Sequence, residues 1–194
     1  MIITLAGTPA SGKGTVGKLL GKKLGFPSYS TGQMWREEAQ RRGMTVDDFA
    51  AWLATHLEED KKFDDKQQEM GFTQDNFIID ARMAWFFIPH SIKVFLDVDI
   101  DVAAQRRFGQ QNDPSRAEKS FASLADVKTE LLNRTKADLS RYTALYGVSE
   151  YDKTKFDIVI DTTELTPEQV VDAVLGSIKK MGYELPKQTK KIVV

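Results

Sequence analysis

Residues 7–15 of the chain, GTPASGKGT, combine glycines and a lysine in a spacing that suits polyphosphate binding. Gly7 and Gly12 can adopt backbone conformations that residues with a Cβ avoid, so the chain can approach a ligand closely. The N–H groups of such a loop form a concave site for anionic oxygens, and Lys13 adds a positive charge for the β- and γ-phosphates. The spacing Gly-x-x-x-x-Gly-Lys therefore predicts a phosphate-binding loop. The predicted ATP-binding residues are Gly7, Thr8, Pro9, Ala10, Ser11, Gly12, Lys13, Gly14 and Thr15.

A second turn with phosphate-binding residue types is predicted at residues 30–36, STGQMWR. A helix that begins here would present N–H groups and the hydroxyl of Thr31, next to Gly32, to an anion. Arg36 lies about one turn inside that helix, where its planar guanidinium can bind a phosphate. A capped helix with a solvated arginine is the alternative that these residues leave open.

Asp80 and Arg82 follow an apolar run, FIID, that is typical of a buried strand. A carboxylate at that position can orient water bound to magnesium. The arginine two residues later can reach a bound phosphate. A turn aspartate without a ligand is the alternative for Asp80.

Helical spacing groups two further sets of polar residues. Asp60, Asp64 and Gln67 would share one helix face and could supply donors and acceptors to the edge of a base. A solvated acidic helix would have the same pattern. Arg134 and Arg141 are two helical turns apart, which puts both guanidinium groups on one stripe about 10 Å apart. An ordinary charged helix face is the alternative there.

These residues need a scaffold, and the chain predicts an α/β fold. Near-continuous apolar runs such as VFLDV and FDIVID indicate parallel strands that are covered on both faces. Helical patterns lie between the runs, so we expect a five-stranded parallel sheet with helices on both faces. The polar residues collect where the strands end, which is the edge where such sheets bind ligands. The predicted strands are residues 2–6, 27–30, 76–80, 92–98 and 156–161.

Two segments outside the predicted sheet are expected to cover the ligands. Residues 33–71 are charged and mostly helical, with a break at Gly43 and Thr45 as an N-cap. The polar stretch 108–123 is rich in turn-forming residues and is predicted to be a lid. We expect at least one of three arginines in or beside it to close over the phosphates: Arg106, Arg107 and Arg116.

The last third of the chain is predicted to contain two helices. The first is a long amphipathic helix over Leu124–Tyr146. The second follows Thr166 as N-cap and has Pro167 in its first position.

Length and composition restrict the class of protein. The chain has 194 residues, which favours a single domain over 1–194. The formal net charge of −1 gives no reason to expect a nucleic acid or a membrane surface as partner. There is no cysteine, so disulfides and thiolate chemistry are excluded. With no signal peptide or long apolar run in the sequence, a cytoplasmic enzyme is expected.

Several motifs resemble nucleoside monophosphate kinases. The loop GTPASGKGT resembles the GxPGxGKGT version of that family, with Ala10 in place of a frequent glycine. STGQMWR resembles the STGDMLR segment of adenylate kinases, with Gln33 in place of aspartate. Residues 77–85 resemble the EGRLAGW segment of short cytidylate kinases, with Ala81 in place of glycine. Residues 42–45, 60–67 and 134–142 are similar to elements of archaeal-type cytidylate kinases.

The resemblance implies a three-layer P-loop fold and transfer of the γ-phosphoryl group of ATP to CMP or dCMP. It implies magnesium carried as MgATP, contacted mostly through water by Thr15 and Asp80. A monomer is the family's usual state. Adenylate kinase activity, or another acceptor such as UMP or a non-nucleotide, stays open, as does a regulatory nucleotide-binding protein with weak ATPase activity. The implied catalytic residues are Lys13, Arg82, Arg134 and Arg141, and the implied acceptor-binding residues are Thr31, Gly32, Arg36, Asp60, Asp64, Gln67 and Arg82.

Overall fold

A computed structural model of the chain describes residues 1–111 and 120–186. Its centre is a sheet in which all strand pairings are parallel, in the order β2-β3-β1-β4-β5. Every predicted strand is present, with ends within two residues of the prediction, so the expected parallel sheet is confirmed. The strands are β1 (Ile2–Gly7), β2 (Ser28–Ser30), β3 (Phe77–Asp80), β4 (Ile92–Asp97) and β5 (Ile158–Asp161).

Helices connect these strands and cover both faces of the sheet. The predicted helix Leu124–Tyr146 is confirmed to the residue, because Ser123 caps its start and Gly147 adopts the left-handed conformation that ends it. Within the described ranges the helices are α1 (Lys13–Leu24), α2 (Thr31–Arg41), α3 (Val46–Thr55), α4 (Leu57–Thr73), α5 (Ala84–Phe87), α6 (Ile100–Gly109), α7 (Leu124–Tyr146) and α8 (Pro167–Lys180).

Successive side chains of β1 point to opposite faces of the sheet, and the core therefore has two layers. Ile3 and Leu5 pack in a cluster with α1 and α8 on one face of the sheet. Ile2 packs on the other face, in a cluster that includes Phe77 and Ile88. The sheet is therefore buried on both sides, as its apolar runs predict.

The predicted helical content of residues 33–71 is confirmed as α2, α3 and α4. Thr45 caps α3 by accepting a hydrogen bond from the N–H group of Asp48, and Gly43 lies in the break before it. Buried Phe49 and Leu53 of α3 pack with Trp35 of α2 and join these helices.

The predicted lid is described only in part. Residues 108 and 109 end α6, residues 110 and 111 form a turn after it, and residues 120–123 lead into α7. Arg116 lies outside the described residues, so the lid stays a prediction. No helix in the described part of the chain is both long and apolar enough to cross a membrane.

Candidate active site

The phosphate-binding loop connects β1 to α1 at the carboxyl edge of the sheet. Gly7 (φ 145°) and Gly12 (φ 91°) both have positive φ values. A Cβ on Gly7 would lie 2.0 Å from the carbonyl oxygen of Leu96 in β4, so only glycine fits there. Gly12 is the N-cap of α1 and offers no side chain to the first N–H groups of that helix, which remain suited to an anion.

The sequence predicts a helix over Thr15–Leu24, but α1 begins two residues earlier, so Lys13 lies in its first turn. Its ammonium group folds back over the loop and donates to the carbonyl oxygens of Gly7 (3.0 Å) and Thr8 (2.8 Å). Burial lowers its pKa to about 8. A triphosphate in the loop would supply the negative charge that this buried ammonium group lacks.

The charges around Lys13 come from β3 and α7. The carboxylates of Asp80 and Asp138 act to raise the pKa of Lys13, whereas the guanidinium groups of Arg82 and Arg134 act to lower it. The structure therefore brings four predicted site residues, which lie far apart in the sequence, into one electrostatic environment.

Asp80 ends β3 beside the phosphate-binding loop. Its Oδ2 accepts a hydrogen bond from Ser30 Oγ (3.0 Å), and its carbonyl oxygen accepts one from Thr31 Oγ1 (3.3 Å). A Cβ built on Gly14 would lie 3.4 Å from the same Oδ2, so the carboxylate faces the start of α1. Burial raises the pKa of Asp80, and the charge of Lys13 opposes that effect.

Arg36 lies close to this carboxylate, and its charge acts to lower the pKa of Asp80. Gln33 accepts hydrogen bonds from Arg36 Nε (3.2 Å) and Nη2 (3.0 Å) and so orients the guanidinium group. A Cβ on Gly32 would lie 3.7 Å from Arg36 Nη1, so the guanidinium group lies over the turn that begins α2.

Arg82 forms an ion pair with Asp138 of α7. The carbonyl oxygen of Arg82 also accepts a hydrogen bond from Trp85 Nε1 (3.1 Å), which fixes the backbone after β3. The exposed Arg134 lines a cavity of about 710 Å³ between α7 and residues 120–122.

The polar residues of α4 lie on one buried face, as their spacing predicts. Asp60 is only 3% exposed and pairs with Arg141 of α7, and Asp64 accepts a hydrogen bond from Tyr146 of α7. Gln67 Nε2 donates to Asp64 Oδ1 (3.2 Å). The alternative of a solvated acidic helix is therefore wrong.

This interface contains hydrogen-bond acceptors without a partner. Asp60 Oδ1 and Gln67 Oε1 are buried and have no hydrogen-bond partner among the described residues. The Arg141 guanidinium lies 5.5 Å from the ring centre of Trp35. Burial raises the pKa of Asp64 to about 6, although the Tyr146 hydroxyl opposes that effect. A polar ligand with an amino group could therefore satisfy acceptors that the described residues leave unpaired.

Arg134 and Arg141 share α7 but not their surroundings. The charge of Arg134 acts to lower the pKa of Lys13, whereas Arg141 contacts Asp60 and the ring of Trp35. The predicted stripe on α7 therefore faces two different parts of the site.

Two polar residues at strand ends hold the phosphate-binding loop. The sequence places Thr162 among the polar residues at the strand ends without giving it a role, and Asp97 is not among the predicted residues. Asp97, at the end of β4, accepts a hydrogen bond from Thr8 Oγ1 (3.3 Å) and forms an ion pair with Lys153. Thr162, directly after β5, donates from Oγ1 to the carbonyl oxygen of Ser11 (3.3 Å). Their positions at the carboxyl edge of the sheet are the signal that could have identified them.

Of the two described arginines beside the predicted lid, Arg106 contacts the body of the protein and Arg107 contacts the end of the lid segment. Arg106 Nη2 donates to the carbonyl oxygen of Thr162 (2.6 Å). Arg107 is buried, with its guanidinium 5.6 Å from the ring centre of Phe121. Closure of one of these arginines over the phosphates stays a prediction.

Known proteins resemble the chain over nearly its whole length. The cytidylate kinase of Thermoplasma volcanium is 34% identical over 184 residues, covering 94% of this chain and 93% of that protein. The cytidylate kinase of Methanobrevibacter smithii is 28% identical over 179 residues, covering 92% and 99%. A shikimate kinase structure from Aquifex aeolicus has a TM-score of 0.59 at 22% identity, covering 94% of this chain and 98% of that one, and so supports the fold alone. The model of the cytidylate kinase-like family matches residues 2–164, and the chain belongs to that family.

Proposed function

We propose that this protein transfers the γ-phosphoryl group of ATP to a nucleoside monophosphate, with CMP or dCMP as the acceptor. The observation that carries the proposal is that charged groups converge on the phosphate-binding loop. The positive charges of Arg82 and Arg134 both lie close enough to Lys13 to lower its pKa. Two phosphorylated ligands need such a site, because their negative charges must be neutralised as they approach. Membership of the cytidylate kinase-like family supports the same reaction.

Catalysis in this proposal consists of positioning and charge neutralisation. The acceptor phosphate is already an anion, so no general base is needed. Lys13 would exchange its present acceptors, the carbonyl groups of Gly7 and Thr8, for oxygens of the β- and γ-phosphates. Arg134 would neutralise the transferred group from the side of α7.

Arg36 and Arg82 are assigned to the acceptor phosphate. Arg36 lies about one turn inside α2, and Arg82 follows β3. The two guanidinium groups therefore approach Asp80 from neighbouring elements. Arg141 is assigned to the acceptor pocket rather than to the transferred group, because Asp60 engages it there.

The residues beside the loop fit a magnesium ion that arrives with ATP. Asp80 offers a carboxylate that faces Gly14, and Thr15 offers a hydroxyl in the first turn of α1. Oxygen ligands of this kind suit Mg²⁺, which usually keeps several waters and takes further ligands from phosphate. Bound there, the ion would neutralise charge on the β- and γ-phosphates.

Base selectivity is assigned to the interface of α4 and α7. Cytosine carries an amino group where uracil carries a carbonyl group. The amino group could donate to Asp60 Oδ1 and Gln67 Oε1, acceptors for which the described ranges supply no partner. Uracil would leave these buried acceptors unpaired, which is the principal way in which a polar pocket rejects an analogue.

The proposal also covers the organisation of the chain. Residues 1–194 would form one domain, with residues 33–71 as the acceptor-binding subdomain and residues 108–123 as a lid that excludes water. Support for the subdomain comes from Arg36 and Gln67, which lie on its helices. A cytoplasmic monomer is part of the same proposal, and the molecular mass in gel filtration tests the monomer.

A coupled assay of ADP release tests the reaction and the acceptor. The panel is CMP, dCMP, UMP, AMP and GMP, with shikimate and gluconate as non-nucleotide acceptors. We expect acceptor-dependent ADP release that is fastest with CMP or dCMP. ATP hydrolysis that no acceptor accelerates would contradict the proposal and would favour a regulatory nucleotide-binding protein.

A pair of neighbouring glutamines tests the assignment of base selectivity. Gln67→Met removes the buried acceptor, and we expect the preference for CMP over UMP, measured as a ratio of kcat/KM values, to fall about tenfold. Gln68→Met makes the same change on an exposed side chain of the same helix and should leave the ratio unchanged. Equal ratios in the two variants would show that Gln67 does not read the base.

A further inference from the structure

Glu150 is a buried acid that the proposed mechanism does not use. It lies in the loop after α7 and is only 2% exposed. Neither Oε1 nor Oε2 has a hydrogen-bond partner in the described parts of the chain. An ionised carboxylate in such a position would be strongly unfavourable, so its state and role need an explanation.

The neighbours of Glu150 belong to the phosphate end of the acceptor site. The negative charge of Asp138 in α7 acts to raise the pKa of Glu150. The positive charges of Arg82, in the loop after β3, and of Arg141, in α7, act to lower it. Two tyrosines of the adjoining apolar cluster, Tyr142 and Tyr151, complete the surroundings.

Asp138 has an unused oxygen as well. One of its oxygens, Oδ1, pairs with Arg82, whereas Oδ2 is buried and finds no partner in residues 1–111 and 120–186. Glu150 and Asp138 therefore both have buried carboxyl oxygens without a described partner, and the hydroxyl group of Tyr151, on which both charges act, is buried and without a described partner as well. A single proton shared between the two groups would satisfy both, because a carboxylic acid donates where a carboxylate only accepts.

We propose that Glu150 is a positioning residue: as an uncharged acid it donates a hydrogen bond to Asp138, and it thereby fixes Asp138 on Arg82 for binding of the acceptor phosphate. The inference rests on the proposed function, in which Arg82 contacts that phosphate. It adds a second layer to the site, since Glu150 acts through Asp138 and Arg82 and touches no substrate.

The electrostatic surroundings of Glu150 agree with an uncharged state. Burial raises its pKa to about 7 and the charge of Asp138 raises it further, whereas its own backbone N–H group and the charges of Arg82 and Arg141 oppose these effects. Glu150 is therefore mostly an acid below neutral pH and mostly a carboxylate above it. Once ionised, it no longer donates to Asp138, and its added negative charge weakens the attraction of Arg82 for a phosphate.

The pH dependence of acceptor binding tests this inference. KM for CMP, KM for ATP and kcat are measured from pH 6 to 9. In the wild-type protein we expect KM for CMP to rise about tenfold as Glu150 ionises around pH 7, whereas KM for ATP should rise only at higher pH, as Lys13, whose pKa is about 8, loses its proton. Glu150→Gln keeps a donor at all pH values, so its KM for CMP should stay at the low-pH value. Glu150→Ala removes the donor and should have a raised KM for CMP throughout.

A control variant and a spectroscopic measurement sharpen the test. Glu168→Gln makes the same change on the exposed first turn of α8 and should reproduce the wild-type profile. Carbon-13 NMR of labelled glutamate carboxyl groups should reveal one signal that titrates near neutral pH and is missing in Glu150→Gln. Through-bond correlation to the backbone of Glu150 assigns the signal in the wild-type protein itself, so the measurement remains decisive if a variant fails to fold.

The outcomes separate this inference from the proposed function. Phosphoryl transfer in which Glu150→Gln keeps the wild-type pH profile would overturn the role of Glu150 alone. A Glu150 signal that titrates near the ordinary range of a carboxyl group would overturn it as well. Absence of transfer to every nucleoside monophosphate would overturn the proposed function, and with it the role of Glu150 toward the acceptor.

Discussion

Replacing Gly7 with alanine should disable the phosphate-binding loop without touching any charged residue. The backbone at Gly7 has φ 145°, and an added Cβ would lie 2.0 Å from the carbonyl oxygen of Leu96. Leu96 belongs to β4, an interior strand of the sheet, so the loop must move away from the sheet. That movement breaks the hydrogen bond from Thr8 N to Leu96 O (3.1 Å).

The expected cost follows from these two effects. A non-glycine residue in such a backbone conformation costs about 1–3 kcal/mol, and the lost hydrogen bond costs about 0.5–1.5 kcal/mol. Gly7→Ala should therefore lower the free energy of unfolding by about 2–4 kcal/mol, or Tm by about 5–15 °C for a chain of this size. Urea titration and thermal scans measure the stability, and isothermal titration calorimetry should show a large loss of ATP affinity.

A glycine far from the loop provides the control. A Cβ on Gly176 of α8 would have no described atom within 4 Å, and alanine is the better helix former by about 1 kcal/mol. Gly176→Ala should therefore be neutral or stabilising and should keep ATP affinity. If Gly7→Ala matched this control in both stability and ATP affinity, the contact with Leu96 would not constrain the loop and the reasoning would be refuted.

Three further substitutions have expected outcomes that stability measurements can check. Ala10 adopts φ 60°, so Ala10→Gly should raise the free energy of unfolding by about 0.5 kcal/mol after the entropy of glycine is counted, and a lower value would exclude strain there. A Cβ on Gly71 would lie 2.9 Å from two carbon atoms of Ile88, so Gly71→Ala should destabilise by about 1–3 kcal/mol, and Ile88→Val in the same chain should recover part of the loss. Because the pKa of Asp64 is raised to about 6, the folded state favours its protonated form. The wild-type protein should therefore lose up to about 3 kcal/mol relative to Asp64→Asn as pH rises from about 3 to about 7, with no further change above that, and a constant difference would contradict the raised pKa.

The sheet was predictable because each of its strands carries its own signal. An apolar run such as FIID is long enough for one strand and is buried whichever strands flank it. Helix ends were predictable for the same reason, since Ser123 and Thr166 bond to N–H groups three residues later. The sequence predicts the start of α1 two residues late. The Gly-Lys-Gly run is typical of a loop, whereas the backbone of Lys13 and Gly14 is already helical.

The partners of the site residues were not predictable, because they are set by tertiary contacts. The spacing of Asp60 and Gln67 placed them on one face, but nothing local indicates that this face is buried against a helix some 80 residues later in the sequence, at Arg141. Asp138 was one turn from Arg134 and a plausible partner for it by spacing, yet its ion pair reaches Arg82, 56 residues away. Glu150 carries no sequence signal at all, since its importance comes only from its burial.

One helix, α7, contacts both ends of the proposed acceptor site, and in the proposed function this would hold a phosphate and a base in a fixed register. Asp138 pairs with Arg82 beside the loop, and Arg141, less than one helical turn later, pairs with Asp60 of α4. The rise of an α-helix fixes these two contacts about 4.5 Å apart along its axis. Because the helix is rigid over that distance, neither ion pair can shift along the cleft without moving the other. A ligand whose phosphate engages Arg82 must therefore present its base to α4 at a set distance, and a molecule of another length would satisfy only one end.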